Sequence, residues 1–399
     1  MIDKARPHLE EKQLFEHIGI SYKAIDKKIK GTLYSKVEDF VVEEFHVDNM
    51  LCTVKKENTI YSFTEGSSFV HATLVKKNLS TFEACQVFAQ KNNLDYFTEV
   101  KCCGLKDTNG FTAQRICFKN IPLKQTEFND FFLKDFKNEE SPLSINGHAG
   151  NKFTVVVRNV EKNKENLKLL EDFKNKIKKG LPNFYGPQRF GVRQHNHKLG
   201  KLLLKKRFRE YLHEFLTHSE NEPESIKVIR QEIKANFGDW KTCHKIINNS
   251  SELSDEKGIL EKLIETNNEL EAIKSMKLTN FFVHSYSSYL FNLALSTHLF
   301  TSEEDIELEK IGNNTDLANP KCLIFEKILE NEQMSLEDFN SSNELFHVKN
   351  HSRKALFYPK NFNYFFTEND LVVSFELGNG EYASLVLGFL IEEAFGKLN

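Results

Sequence analysis

A lysine and an aspartate stand side by side in a glycine turn, GLKD, at residues 104–107. The carboxylate of Asp107 has the chemistry of a general base, a metal ligand or a covalent nucleophile, and Lys106 adds a positive charge beside it. Apolar and β-branched residues flank the turn, such as Val100 before it and Ile116 after it, so the sequence predicts two strands that present Asp107 at a sheet edge. Most Lys-Asp turns are solvated loops, and the catalytic interpretation therefore depends on the rest of the chain.

A second candidate site is the loop NFYGPQRFG at residues 183–191. Its two glycines, its proline and its aromatic residues suit neither a helix nor a strand, and glycine lets a backbone approach a ligand closely. Asn183 and Gln188 can read the edge of a base, and Phe184 or Tyr185 can stack on it. The alternative is a structural turn between elements. The basic residues that surround the loop favour binding.

Positive charge is concentrated between Lys174 and Arg209, where twelve lysines and arginines occur without a single aspartate or glutamate. Such a run is usually a solvated face. The net charge of −3 argues against a nucleic-acid binder, but the acidic residues are concentrated elsewhere in the chain. An acid-free basic stretch in a net-acidic protein is therefore a candidate phosphate-binding surface.

The elements that would position these segments begin with strands. Alternating apolar residues predict strands at 36–45 and at 151–160, and a capping box at 80–83 predicts the start of a helix that leads into the Asp107 turn. Residues 128–140 are acidic and rich in phenylalanine, which indicates a surface excursion.

The second half of the chain is predicted to be mainly helical until strand alternation returns at residue 370, followed by a glycine turn and an apolar helix. The predicted helices occupy 199–216, 224–237, 256–277, 285–298 and 322–331. A helical segment between two stretches of mixed structure is the pattern of an α-helical domain inserted into an α+β domain.

Composition and missing motifs exclude several classes of protein. The 399 residues suit two domains or one domain with a large insertion, and the apolar runs are too short to span a bilayer. The first residues have no apolar core of a secretory signal, and seven scattered cysteines fit reduced thiols in a cytoplasm. Walker, HExxH, GxSxG and dinucleotide patterns do not occur, so no cofactor or metal is expected.

Five patterned segments recur along the chain. In order they are Glu38, Asp39, Phe40, Val42 and Glu44; GLKD at 104–107 with Thr112 and Gln114; Gly150, Asn151 and Phe153; the 183–191 loop; and Gly380, Tyr382, Ala383 and Ser384. In this order they resemble the TruD family of tRNA pseudouridine synthases. Each pattern alone is modest, but five in order across most of the chain are hard to obtain by chance.

Three departures from the family pattern stand out. Val37 occupies a position where the family usually has proline, and Thr108 follows the aspartate where a basic residue is common. The 183–191 loop reads Phe184-Tyr185 where the order Tyr-Phe is commoner. Stacking tolerates the last change because both rings offer a π face, and none of the three is expected to change the class of activity.

The resemblance implies an α+β fold with a mixed or antiparallel sheet. It assigns residues 1–196 plus 346–399 to a pseudouridine-synthase catalytic domain and residues 197–345 to the helical insertion typical of the family. Asp107 would be the essential carboxylate. Whether it attacks the base, attacks the sugar or removes a sugar proton stays open.

The resemblance also implies roles for other residues. Tyr185 would stack on a flipped uracil, and Asn183 would position the base or Asp107. The remaining side chains placed at the substrate are Gln188, Arg189, Lys106, Glu44 (as a partner for a lysine) and Phe375. The residues expected to hold the RNA backbone are Arg193, Lys198, Lys205, Lys206 and Arg207.

The implied substrate is uridine 13 in the D stem of tRNA, handled by a cytoplasmic monomer without a protein partner. The alternative is a protein of the same fold that binds or folds RNA without chemistry, and a metal-dependent nuclease is a third option. Asp107 discriminates among them. A pure binder has no use for a carboxylate that repels phosphate, and a nuclease needs several converging carboxylates.

Overall fold

A computed structural model gives the coordinates of the protein. The residues that it describes are 11–21, 27–46, 48, 50–56, 61, 67–106, 108–144, 147–248, 250, 252–302, 304–340, 346–392 and 394.

The strands form one large sheet and two small ribbons. Their bounds are β1 Phe40–His46, β2 Phe69–Lys77, β3 Val100–Cys102, β4 Phe111–Lys119, β5 Phe131–Glu139, β6 His148–Arg158, β7 Leu181–Pro182, β8 Glu307–Lys310, β9 His351–Lys354, β10 Leu356–Phe357, β11 Lys360–Phe366 and β12 Asp370–Gly378. The large sheet has eight strands in the order β11-β12-β6-β1-β4-β2-β5, with β3 paired to β4. Among the strand pairs that the described residues form in this sheet, only β1–β4 is parallel.

Several helices pack against this sheet, and others build a separate helical part. Their bounds are α1 Glu11–His17, α2 Thr81–Asn92, α3 Tyr96–Glu99, α4 Lys164–Lys179, α5 Asn196–Leu204, α6 Phe208–Thr217, α7 Glu224–Ala235, α8 Trp240–Ile247, α9 Ser254–Thr266, α10 Glu269–Ser275, α11 Thr279–Thr301, α12 Phe325–Asn331, α13 Leu336–Asn340 and α14 Ala383–Leu390. The predicted α+β class with a mixed sheet is confirmed.

Local signals in the sequence explain where several elements begin and end. The Ser80 hydroxyl accepts from the Glu83 amide, and the Glu83 carboxylate accepts from the Ser80 amide, which is the predicted capping box of α2. Gly180 ends α4 with a positive φ of 95°. The strands on either side of the Asp107 turn, β3 and β4, form as predicted.

Three predictions about elements were wrong. Residues 128–140 do not form a surface excursion, because β5 pairs with β2 along the sheet and buries Phe131 and Leu133 against α2. The predicted helix 199–216 is two helices, since Lys206 adopts a left-handed backbone with φ of 56° between α5 and α6. The predicted helix 256–277 is also two helices, α9 and α10, because Asn267 adopts a left-handed backbone with φ of 48° at the end of α9. Sheet pairing and two left-handed residues override the local pattern in these places.

The sheet and the helical part have separate hydrophobic cores that share one helix. Phe40, Phe153 and Phe375 pack in the sheet core with α4 and α14. A second core joins α5 to α10 with α12 and α13. Helix α11 enters both, because Phe291 lies in the sheet core and Leu290 in the helical core. Helix α11 lies inside the proposed insertion yet contributes to both cores, and the division into two domains stays a prediction.

Among the described residues, no helix combines the length and the apolar character that crossing a lipid bilayer requires.

Candidate active site

A cleft of about 870 Å³ opens at one end of the sheet, next to the Asp107 turn. Each of the five patterned segments contributes to its wall, through Phe40, Thr108, Phe153, Gln188 and Tyr382 among others. These residues lie far apart in the sequence. The fold therefore brings all five segments to one concave surface, which is where proteins usually bind ligands.

Asp107 itself lies outside the described residues. Its neighbours on both sides are described: Thr108 and Asn109 line the cleft, and Lys106 lies against the sheet.

The backbone of the turn is held by two buried side chains. Gln114 on β4 donates its amide to the Gly104 carbonyl oxygen at 2.8 Å. Thr81 at the start of α2 donates its hydroxyl to the Gln114 side-chain oxygen at 2.7 Å and accepts from the Lys106 amide at 3.1 Å. The chain of hydrogen bonds ties the turn to a strand and a helix. It gives a physical reason for glutamine in the Thr-x-Gln pattern that follows GLKD.

Leucine at position 114 should keep the volume of Gln114 but remove its hydrogen bond to the Gly104 carbonyl oxygen and its hydrogen bond with Thr81. We expect turnover to fall about tenfold or more while RNA binding changes little, because a misplaced catalytic group costs rate without affecting the remote contacts. Single-turnover rates and equilibrium binding to the same RNA would test this. An equal loss in both measurements would mean that Gln114 serves stability alone.

A buried ion pair lies directly before Asp107. The Lys106 ammonium lies 2.5 Å from a carboxylate oxygen of Glu44 on β1, and the other carboxylate oxygen accepts from the Arg115 amide at 3.0 Å. Glu44 is fully buried and the Lys106 side chain is only 7% exposed. The predicted contact of Glu44 with a lysine is therefore present. Direct contact of either residue with substrate stays a prediction.

Two further titratable side chains at the turn escaped the sequence analysis. Lys76 on β2 is fully buried and donates to the Lys106 carbonyl oxygen at 3.5 Å. His148 approaches Gly104, and burial followed by the charge of Lys106 lowers its pKa. The only signal for Lys76 in the sequence is a lysine at the end of an apolar strand, which by itself indicates a solvated end.

Asn183 is engaged with the protein. Its side-chain nitrogen donates to the Lys354 carbonyl oxygen at 3.0 Å, and its side-chain oxygen accepts from Arg353. The Arg353 guanidinium also donates to the Asn183 carbonyl oxygen at 3.0 Å. The structure thus shows Asn183 positioning Arg353, a residue that the sequence analysis did not single out, instead of facing a base.

Tyr185 is 5% exposed, and its ring is covered by Arg353, whose guanidinium carbon lies 4.5 Å from the ring centre. Its hydroxyl lies 3.2 Å from the His351 ring nitrogen. The predicted stacking face for uracil is therefore occupied by a guanidinium in this structure. Tyr382 is one of the aromatic residues that line the cleft, and its ring lies 6.4 Å from the Tyr185 ring.

The other predicted contacts divide between the cleft and the interior. Gln188 is exposed, lines the cleft and accepts from the Ser384 hydroxyl at 3.0 Å. Arg189 is half-buried and donates to the Ser288 hydroxyl at 3.1 Å. Phe375 is 1% exposed and stacks on Phe153, because it faces the core side of β12. Phe375 is therefore buried beside a residue that lines the cleft, and its contact with substrate stays a prediction.

The basic run is less free than its sequence indicates. Arg193 is not available to RNA, because its guanidinium is buried, donates to the Phe215 and His218 carbonyl oxygens and lies within 4 Å of Glu222 and Glu256. This corrects its assignment to the RNA backbone.

Other cations of the run meet carboxylates from distant segments. Lys205 pairs with Asp338 at 2.9 Å, and Arg207 pairs with Glu210. Lys198 and Lys206 are exposed.

One group of described residues has the spacing of metal ligands. The ligand atoms of His195, Glu214 and His218 lie within 4.8 Å of one another. The two imidazoles stack in parallel at 3.8 Å, so the nitrogen lone pairs run side by side and do not converge on one point. Burial lowers the pKa of both histidines, that of His218 to about 3. The arrangement suits a stacked, neutral histidine pair hydrogen-bonded to Glu214 better than a metal centre.

Comparison with known proteins agrees with the convergence of the five segments. The family model of tRNA pseudouridine synthase D (TruD) matches residues 17–310, which is more than half of the chain. The chain belongs to the TruD family. It therefore belongs to a family of pseudouridine synthases, which are isomerases.

Relatives match the TruD chain over most of its length. A protein of Methanococcus maripaludis strain C5 named "Probable tRNA pseudouridine synthase D" is 26% identical over 90% of this chain and 95% of its own. One of Thermococcus sibiricus with the same name is 30% identical over 76% of this chain and 69% of its own. A solved TruD structure from Methanosarcina mazei superposes with a TM-score of 0.75 and 23% identity, covering 98% and 99% of the two chains. At that identity the structure shows the shared fold.

Proposed function

We propose that this protein converts uridine to pseudouridine in tRNA, with Asp107 as the essential carboxylate. The observation that carries the proposal is the cleft, because residues of all five TruD-like segments line it and the two residues after Asp107 open into it. Uridine 13 in the D stem is the expected target, on the strength of the family resemblance.

The reaction breaks the bond between uracil N1 and the sugar C1′, turns the base, and joins uracil C5 to the same carbon. Atoms and electrons balance within the nucleotide, since the proton lost from C5 is replaced by one at N1. A carboxylate held at the cleft can form and release a covalent adduct or remove a proton. Lys76 and Lys106 place positive charge around the turn, and nearby positive charge favours the ionised form of a carboxylate.

The base has to leave its stack before it can react, and an aromatic ring and hydrogen-bonding groups are needed to hold it. Tyr382 is an aromatic residue of the cleft wall, and Gln188 and Ser384 supply polar groups in the same cleft. In this assignment Tyr382 takes the stacking role first given to Tyr185. Asn183 acts indirectly through Arg353.

Basic residues near the start of the helical part hold the RNA outside the cleft. Lys198 and Lys206, with Lys205 and Arg207 as partly paired neighbours, hold the RNA backbone. The catalytic domain comprises 1–196 and 346–399 and the helical insertion comprises 197–345. The protein acts as a cytoplasmic monomer.

Incubation of the protein with an unmodified tRNA transcript should yield pseudouridine at one position. Carbodiimide adduct formation followed by primer extension maps the product, and a transcript with cytidine at position 13 is the matched control. Product at position 13 in the first transcript and none in the second would support the proposal in full. Tight tRNA binding without product at any position would favour the non-catalytic RNA-binding alternative.

A further inference from the structure

Three cations from separate parts of the chain surround the Tyr185 ring. Arg189 lies in the 183–191 loop, Lys310 is the last residue of β8, and Arg353 lies on β9. Their charged groups lie 5.8, 5.8 and 4.5 Å from the ring centre. Like charges at such spacing repel one another, so this cluster has an electrostatic cost in the free protein.

The described residues supply no carboxylate to these three cations. Arg189 donates to the Ser288 hydroxyl, and Lys310 lies 3.3 Å from a His284 ring nitrogen. Arg353 donates to carbonyl oxygens, including that of Gly380, and to the Asn183 side chain. Every partner in these interactions is neutral or a histidine.

Two other buried cations of the same protein are paired with carboxylates. Lys106 pairs with Glu44, and Arg230, which is 1% exposed, pairs with Glu222 and Glu256. Lys310 is equally buried at 1% exposure. The contrast indicates that the counter-charge of the Lys310 cluster comes from outside the described residues, since buried charges are normally paired.

The titration behaviour of the cluster agrees with a missing anion. Burial, and then the charges of Arg189 and Arg353, lower the pKa of Lys310 to about 7. Burial, and then the charge of Lys310, lower the pKa of His284 to about 4 and also lower that of His351.

The cluster adjoins the cleft. Arg353 lies between the Tyr185 ring and the Tyr382 ring, which lines the cleft, at 4.5 and 5.8 Å. Gln188, the residue before Arg189, also lines it. Arg189 and Arg353 are half-buried, whereas Lys310 lies behind them. An anion on the two guanidinium groups would therefore sit beside a nucleotide in the cleft.

We propose that Arg189, Arg353 and Lys310 form a binding site for one phosphodiester group of the RNA, next to the nucleotide that occupies the cleft. The inference rests on the proposed function, because it takes RNA as the ligand. Arginine suits the contact, since its planar fork matches the geometry of phosphate oxygens. Lys310 contributes charge from behind.

The test pairs one protein change with one RNA change. Methionine at position 310 keeps most of the side-chain length and removes the charge, and RNAs that carry a single uncharged methylphosphonate remove one phosphate charge at a time around the target uridine. The wild type should lose about tenfold to a hundredfold in affinity at one methylphosphonate, the scale of a charge-assisted hydrogen bond. Lys310→Met should bind unmodified RNA about tenfold to a hundredfold more weakly than the wild type does. Its affinity should fall little further when the RNA carries the same methylphosphonate.

The control is Lys321→Met, which removes an exposed lysine that pairs with Glu307. This variant should lose as much affinity at that methylphosphonate as the wild type does. A second readout is pH. Because the anion binds the protonated amine, wild-type affinity should fall as pH rises above about 7, and the fall should be smaller in Lys310→Met. Thermal unfolding checks that the variant folds, and we expect its stability to be kept or raised, since an unpaired buried charge is gone.

Equal methylphosphonate losses in wild type and Lys310→Met, at every position, would overturn the site. Inorganic phosphate at constant ionic strength could raise the thermal stability of the protein while the methylphosphonate loss does not depend on Lys310. That result would overturn the assignment of the site to RNA. Product mapping on the unmodified transcript separates this proposal from the proposed function. If pseudouridine forms but the methylphosphonate loss does not depend on Lys310, the protein is the isomerase and the phosphate site is wrong. If the loss depends on Lys310 but no pseudouridine forms, the phosphate site stands and the isomerase activity is wrong.

Discussion

Asparagine in place of Asp107 should lower the rate of pseudouridine formation by at least about 10²–10⁴-fold, the range that acid–base catalysis by one group supplies. Asparagine has nearly the same shape but can neither ionise nor form the covalent adduct. Stability and tRNA affinity should stay close to those of the wild type, because the change removes a charge that phosphate groups repel. Single-turnover kinetics with excess enzyme isolate the chemical step.

Alanine at position 107 serves as a second variant, since asparagine can revert to aspartate by deamidation. Thr108→Ala is the matched control. Its side chain lines the same cleft directly after Asp107 but carries no ionisable group, so its rate should stay within a few-fold of the wild type. Residual activity of Asp107→Ala close to the wild-type rate would remove the aspartate from the mechanism.

Leucine in place of Glu44 should lower the free energy of unfolding by about 3–5 kcal/mol, the cost of breaking a buried ion pair from one side. Two groups lose their partner at once: the Lys106 ammonium, 2.5 Å from the carboxylate, and the Arg115 amide. Turnover should fall as well, because Lys106 directly precedes Asp107. Urea unfolding followed by circular dichroism gives the stability.

The double variant Glu44→Leu, Lys106→Met tests whether the pair accounts for this effect. It should be more stable than the sum of the two single changes predicts, since neither charge is then left alone. Glu127→Gln is the control, because it disrupts an exposed pair with Lys56 and should cost less than about 1 kcal/mol. Additive losses in the double variant would show that Glu44 and Lys106 act independently.

Much of the fold could be predicted from the sequence because it depends on local signals. The capping box at Ser80, the end of α4 at Gly180 and the strands on both sides of the Asp107 turn all follow from contacts between residues close in the chain. Strand β5 could not be predicted in this way. Its charged pattern becomes a strand only because β2 offers it a hydrogen-bonding edge.

The candidate site could likewise be predicted only in part from the sequence. Motif order identified the segments that line the cleft, including Gln188 and the turn with Thr108. It did not show which side chains face the cleft: Tyr185 lies under Arg353, Phe375 lies in the core, and Asn183 holds Arg353. A residue pattern records which side chains a family retains, whereas the direction of each side chain depends on its neighbours in space.

By itself, the sequence determined the class of fold, the family and the turn that carries Asp107. Only the tertiary structure decided which charges remain unpaired. The basic run between Lys174 and Arg209 is acid-free in sequence, yet residues more than a hundred positions away neutralise part of it, as Lys201 with Glu332 and Lys205 with Asp338 show. Lys310 follows an acidic stretch in sequence, yet it meets two arginines and no carboxylate among the described residues. The reason is physical, because charge pairing depends on separations of a few ångströms in space, and distance along the chain does not fix them.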